Sequence, residues 1–141
     1  MFLGEYTYKL DEKGRAPLPP KFRDDFKDGI VLAPGAEKCI LAYTPDQWKK
    51  LADNITTGSI VTNKMRKLNR ALFAMAFNLN LDRQGRISLP TPLRQYAGIG
   101  DDVVIAGANN YLEIWDKAAW EQEKLDSQAQ AWQIIESMEK R

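Results

Sequence analysis

The chain states one twenty-residue passage twice. Residues 10–29 read LDEKGRAPLPPKFRDDFKDG and residues 81–100 read LDRQGRISLPTPLRQYAGIG. Leu10, Asp11, Gly14, Arg15, Leu18, Pro19, Arg23 and Gly29 therefore recur as Leu81, Asp82, Gly85, Arg86, Leu89, Pro90, Arg94 and Gly100, each 71 residues further on. Glycine and proline set backbone geometry that few residues can replace, so matches at these positions with a fixed offset mark a duplication. The similarity runs on: Val31, Leu32 and Ala33 match Val104, Ile105 and Ala106, while Tyr43 and Trp48 match Trp115 and Trp120. Two copies in one chain predict a pseudo-dimer in which equivalent groups meet about a local twofold axis.

Each copy reads as strand, turn, strand, short helix, strand, strand, helix. Tyr6, Tyr8 and Leu10 alternate with Glu5, Thr7 and Lys9, the period of a half-buried strand. Asp11 opens a turn that Gly14 closes, the strand Arg15 to Leu18 follows, and Pro19-Pro20 leads into a short helix from Lys21 to Phe26. Ile30 to Ala33 and Cys39 to Tyr43 predict a hairpin, and Thr44-Pro45 starts a helix through Leu51. A break at Thr57-Gly58-Ser59 precedes a helix from about Ile60 to Met75, whose Val61, Met65, Leu68, Leu72 and Met75 form one apolar stripe for the body of the fold or a neighbouring subunit. The second copy predicts strands from Asn78 to Leu81, Arg86 to Leu89, Val103 to Ala106 and Tyr111 to Trp115, with a short helix from Thr91 to Ala97. Asp116 caps a last helix whose Trp120, Leu125, Trp132, Ile135 and Met138 either meet a partner or fold back on their own domain. The expected division is one globular unit, 1–141, containing a first repeat at 1–55, a connecting amphipathic helix at 56–76, and a second repeat with its C-terminal helix at 77–141.

With 141 residues, 44% of them hydrophobic, the chain can bury a real core, and two halves of marginal size are expected to share it. A lone cysteine, Cys39, permits no internal disulfide and fits a reducing compartment. The chain opens without a signal-peptide pattern and contains no membrane-length apolar run, so a soluble cytoplasmic protein with no membrane partner is expected. It has no histidine, which removes the commonest general base and most zinc sites, and no Gly-rich phosphate loop. Asp24-Asp25 and Asp101-Asp102 lack calcium-loop spacing and read as solvated acids. A shared-proton pair of Asp11 and Asp82 conflicts with the arginine in each turn, which would keep both carboxylates ionised. The expectation is a non-enzyme with no cofactor and no metal.

Net charge is only +1, so a strongly basic nucleic-acid binder is not indicated, but the charge is uneven. Lys9, Lys13, Arg15, Lys21 and Arg23 cluster in the first copy, and Lys64, Arg66, Lys67 and Arg70 in the middle. Asp11 with Arg15, and Asp82 with Arg86, set a carboxylate and a guanidinium at the two ends of one turn, where they pair within a copy or across the twofold. The arginines then either brace the turns or present a contact surface. On the second reading Lys13, Arg15, Arg83 and Arg86 touch DNA, while Asp11, Gly14, Asp82 and Gly85 shape the turns. The alternative is a non-DNA oligomeric protein-interaction module using the same basic loops.

Met1-Phe2-x-Gly4-Glu5-Tyr6, Leu10-Asp11-x-Lys13-Gly14-Arg15, Pro19 with Phe22-Arg23, Leu81-Asp82-x-x-Gly85-Arg86, Leu93-Arg94-x-Tyr96-Ala97, and Leu112-Glu113-x-Trp115 with Trp120 stand in the order found in one family. On these residues, nearly end to end, the chain resembles the MraZ family of bacterial transcriptional regulators. It departs from the family at Asn78-Leu79-Asn80, where a glutamate-bearing strand is usual, and in a short C-terminal segment. The resemblance implies a mainly β fold with flanking helices, a pseudo-twofold swapped-hairpin β-barrel built from two tandem AbrB-type units and assembled into a homo-oligomeric ring. It also implies a nucleoid-associated function, binding short direct repeats in double-stranded DNA upstream of the division and cell-wall gene cluster.

Overall fold

A computed structural model of the chain describes residues 1–55 and 62–139. The first repeat supplies β1 (Glu5–Lys9), β2 (Arg15–Pro17), a 3₁₀ segment (Pro20–Phe26), β3 (Ile30–Pro34), β4 (Ile40–Tyr43) and α1 (Pro45–Ile55). After α2 (Asn63–Leu72), the second supplies β5 (Phe77–Leu79), β6 (Arg86–Ser88), α3 (Thr91–Tyr96), β7 (Asp102–Gly107), β8 (Leu112–Asp116) and α4 (Lys117–Glu139). The expected element order is present in both copies. The break at Thr57-Gly58-Ser59, together with Ile60 and Val61 of the expected stripe, lies outside the described residues.

Caps decide where helices begin. Thr44 Oγ1 accepts the Gln47 N–H at 3.2 Å, and Thr62 Oγ1 accepts the Met65 N–H at 3.1 Å. The helix expected to reach Met75 ends at Leu72, because the N–H groups of Phe73 and Ala74 both return to the Asn69 carbonyl and the chain turns into β5. Met75 therefore stands outside the helix whose apolar stripe it was expected to extend.

Six strands form one antiparallel sheet in the order β1-β7-β8-β4-β3-β5, and β2 and β6 form a separate ribbon. β1 leaves its own repeat to pair with β7, Tyr6 opposite Ile105, and β5 does the same with β3, Phe77 opposite Leu32. Those two pairings are equivalent under exchange of the copies, so the strand order reads the same from either end and the pseudo-twofold passes between β4 and β8. The ribbon obeys the same symmetry, with Ala16 opposite Ile87. The hairpin-swapped, mainly β architecture with flanking helices is thus present. Its outer strands β1 and β5 are not hydrogen-bonded to each other, so sheet and ribbon pack around the core without a ladder that closes the barrel.

That core is shared. Leu18, Ile30, Leu32 and Ile40 from the first copy and Ile87, Ile105, Leu112 and Ile114 from the second are fully buried in one cluster. Every strand exchanged between copies delivers side chains to it, so the apolar burial that stabilises each repeat is available only when both are folded.

Candidate nucleic-acid interface

The two duplicated turns have the same internal wiring. Asp11 Oδ1 accepts the backbone N–H groups of Lys13 and Arg15, both at 2.9 Å, while Oδ2 accepts Arg15 Nε–H at 2.7 Å. Asp82 repeats this with Gln84, Arg86 and Arg86 Nε–H at 2.9, 2.9 and 2.7 Å. Each aspartate thus holds its turn by backbone bonds and its arginine by a charge-assisted one. Both carboxylates lie below their ordinary value of 3.8, first because of the backbone N–H of Arg15 or Arg86, with burial opposing and the guanidinium adding to the effect. Two carboxylates so held are both ionised and do not share a proton.

The turns also hold each other. Leu18 N–H donates to the Gly85 carbonyl at 2.9 Å and Leu89 N–H to the Gly14 carbonyl at 3.0 Å, so each turn is tied to the strand end of the other copy. Arg86 Nη1 stands 3.7 Å from Asp11 Oδ2, an ion pair across the pseudo-twofold. Arg94 donates through Nε to Leu89 O at 3.0 Å and lies over Gly14, while Arg23 donates to Leu18 O at 3.0 Å and lies over Gly85. Gly14 and Gly85 have φ of +72° and +74°, and at either one a Cβ would collide with the arginine of the other repeat. Glycine is required here twice over, by conformation and by contact.

The structure therefore brings Asp11, Arg15, Asp82 and Arg86 together and leaves Lys13 and Arg83 exposed on the two turns. Arg15 and Arg86 are only partly exposed, each using Nε on its aspartate. The rest of the first basic cluster has other engagements. Lys9 pairs with Asp102 at 3.3 Å, which also accounts for one acid of the Asp101-Asp102 doublet, and Lys21 Nζ sits 5.1 Å above the Tyr6 ring. Arg23 and Arg94 were absent from the expected contact set, although both recur in the duplicated passage; the spacing that would have flagged them was the conserved distance from each Gly-Arg turn to the next arginine within the repeat.

The two turns are not identical. At equivalent positions the first carries exposed Glu12 and Lys13, the second exposed Arg83 and Gln84, so the cation sits one residue earlier in the second copy and has no neighbouring free carboxylate. No helix among the described residues is long and apolar enough to cross a membrane.

Fold and site together define a duplicated swapped-hairpin protein that displays two aspartate-braced basic turns side by side. The chain belongs to the MraZ family: the profile of the MraZ protein, described as antitoxin-like, matches it twice in succession, over residues 1–71 and 72–139. A protein from Dehalococcoides mccartyi strain BAV1 named transcriptional regulator MraZ is 61% identical over 140 residues, covering 99% of both chains. Proteins of the same name from Roseiflexus sp. strain RS-1 and Frankia alni are 41% identical over 121 residues and 40% identical over 132 residues. These alignments cover 86% of this chain and 85% of the first relative, and 94% of this chain and 92% of the second.

Proposed function

We propose that this chain is a cytoplasmic, nucleoid-associated transcriptional regulator and not an enzyme, and that it binds double-stranded DNA through its paired turns. The names carried by its relatives support regulation of transcription. The observation that carries the DNA reading is the rigid pairing of the turns, which fixes two basic loops at one spacing. Arg15 would read guanine, because a guanidinium held through Nε still offers its terminal nitrogens to O6 and N7 in the major groove, and Arg86, whose Nη1 also faces Asp11 at 3.7 Å, would reach a base edge through Nη2. Lys13 and Arg83 would neutralise phosphate, and Asp11, Gly14, Asp82 and Gly85 would hold the loops in shape before contact, lowering the ordering cost of binding. The target would be short direct repeats upstream of the division and cell-wall gene cluster, met by a homo-oligomeric ring. Several weak loops acting on repeats ~10 bp apart bind tightly without a strongly basic chain, in keeping with a net charge of +1.

The test is a mobility-shift salt series on the DNA upstream of this protein's gene. Arg15→Lys keeps the charge and loses the planar fork, so specific binding should weaken by roughly 5- to 150-fold per site, equivalent to ~1–3 kcal/mol, with discrimination between sequences relaxed. Lys13→Ala with Arg83→Ala should lower affinity for all sequences and flatten the salt dependence. Folded variants of both kinds that shift operator DNA as the unmodified protein does would instead assign the loops to a protein partner.

A further inference from the structure

The two turns share a backbone and differ in the side chains they expose. Gly14 and Gly85 have one conformation, and Asp11 and Asp82 make the same three bonds at the same distances. The pseudo-twofold runs through the ribbon, where Ala16 lies opposite its own equivalent, Ile87, so the turns stand on either side of that axis. On such a frame only side chains distinguish one turn from the other. Between each Asp and its Gly stand Glu12-Lys13 in the first turn and Arg83-Gln84 in the second, all four exposed. Among the described residues none of the four side chains holds an ion pair or a hydrogen bond. The arginines differ as well. Asp11 Oδ2 faces Arg86 Nη1 at 3.7 Å besides Arg15 Nε at 2.7 Å, whereas no carboxylate of the second copy stands within ion-pairing distance of Arg15.

The DNA backbone has twofold symmetry of its own, since a half-turn about an axis across the duplex exchanges its strands. A protein with two equivalent turns would meet a palindrome and have no direction on it. Here equivalent positions carry unlike chemistry. Glu12 only accepts hydrogen bonds; facing phosphate it opposes binding, and in the major groove its partner is the N4 amino group of cytosine. Arg83, at the equivalent position, only donates, so that amino group excludes it and phosphate attracts it. Lys13 likewise only donates, whereas Gln84 both donates and accepts, the combination that fits N7 and N6 of adenine. Arg15, with both terminal nitrogens unclaimed across the axis, can span O6 and N7 of one guanine. Arg86 brings Nη2, and a single donor does not separate N7 of guanine from N7 of adenine.

We propose that Glu12 and Gln84 are specificity-determining residues that give the chain a direction on DNA. One chain binds a non-palindromic site in a single orientation, its first turn over a half-site of guanine and cytosine and its second over a half-site bearing adenine. The symmetry of the backbone supplies the spacing of the two contacts, and the asymmetry at two exposed positions per turn supplies the polarity. The proposal rests on the DNA reading given above and assigns the two turns different tasks within it.

Selection from random duplexes followed by directed cleavage tests it with the full chain. The unmodified protein should enrich a sequence that is not its own reverse complement. Gln95→Cys then places an iron chelate on an exposed residue beside Arg94, which lies over Gly14, so the chelate marks the first turn; Cys39 is buried and stays unlabelled. On a duplex with a single enriched site, hydroxyl-radical cuts should fall on one flank. Exchanging the turns in that background, with Glu12→Arg, Lys13→Gln, Arg83→Glu and Gln84→Lys, keeps the backbone bonds to Asp11 and Asp82 and amounts to a half-turn of the reading surface. The exchanged chain should bind the same duplex and cut the opposite flank. Glu12→Ala alone should lose roughly 5- to 150-fold of its discrimination at one base pair while binding unrelated DNA more tightly, two shifts that a merely structural side chain would not produce. Circular dichroism checks that each variant folds. A palindromic selected site, or cuts on both flanks, would overturn the polarity. A folded exchanged chain that cuts the original flank, or no longer binds the site, would place the direction in residues outside the turns. An unmodified chain that enriches no sequence would sink the DNA reading itself.

Discussion

Gly14→Ala probes the joint between the repeats, and its cost divides into two parts that can be measured separately. The backbone at Gly14 has φ +72°, where an L side chain costs about 1–2 kcal/mol. A methyl group there would also stand 2.8 Å from Arg94 Cζ, so the guanidinium has to move. Moving it endangers the 3.0 Å bond from Arg94 Nε to Leu89 O. A bond from a charged donor is worth ~1.5–3 kcal/mol, and for a partly exposed, flexible arginine the loss falls near ~1–2 kcal/mol. The single variant should therefore lose ~2–4 kcal/mol, a large share of the roughly 5–15 kcal/mol by which a domain is stable. In an Arg94→Ala background the collision is gone and only the backbone part remains, so the double-mutant cycle should show a coupling of ~1–2 kcal/mol. Urea unfolding of the four proteins measures it. Costs that simply add, to within about 0.5 kcal/mol, would mean that the arginine and the glycine do not hold one another and that the joint is made elsewhere. The corresponding cycle of Gly85 with Arg23 should couple in the same direction.

Three further outcomes are expected. Asp11 and Asp82 are held below 3.8 when folded, so they bind protons more weakly in the folded chain than in the unfolded one. Their contribution is complete above that value and is lost as pH falls through the folded-state values. Urea midpoints should therefore drop below about pH 4, with a shallower drop in Asp11→Asn/Asp82→Asn, and an equal drop would assign the acid sensitivity to other carboxylates. Cys39 is fully buried, and burial, aided by the carboxylates of Glu113 and Glu37, pushes its thiol up to about 12. It should resist alkylation at pH 8 in native protein and react after unfolding, whereas rapid native labelling would show that the β3–β4 end opens readily. Ile87, fully buried where the ribbon meets the core, should lose ~2–5 kcal/mol on replacement by Ala, read as a lowered urea midpoint, and a loss below ~1 kcal/mol would mean that the ribbon is dispensable to the core.

Much of this molecule can be read from its residues, because the informative ones act locally. Asp11, Gly14 and Arg15 specify a turn within five residues, and their recurrence at 82, 85 and 86 announces the symmetry. Thr44 before Pro45 marks a helix start for the same reason. Contacts between copies are harder to read, since nothing near Arg23 indicates that it will lie over Gly85, or that Lys9 and Lys21 will be taken up by Asp102 and Tyr6. The connecting helix misled at its C-terminal end because apolar periodicity continues to Met75 after the backbone has already turned at Phe73. Periodicity records which side chains favour burial, whereas the end of a helix is decided by where its last N–H groups find partners.

The exchange of strands between repeats also sets a timetable for making the protein. β1 leaves the ribosome about a hundred residues before its partner β7. At the usual ~5–20 residues per second, β1 waits roughly 5–20 s with its edge unpaired while only local pieces such as the β3–β4 hairpin can form. Pairings so distant along the chain close slowly, and the waiting segment carries Phe2, Phe22 and Phe26 before the core exists to take them. The newborn chain is thus most vulnerable to aggregation in the interval before β7 emerges. A chain stopped short of β7 leaves β1 unpaired and the core half lined, so interrupted synthesis yields material for proteolysis in place of a folded half-molecule with one working loop.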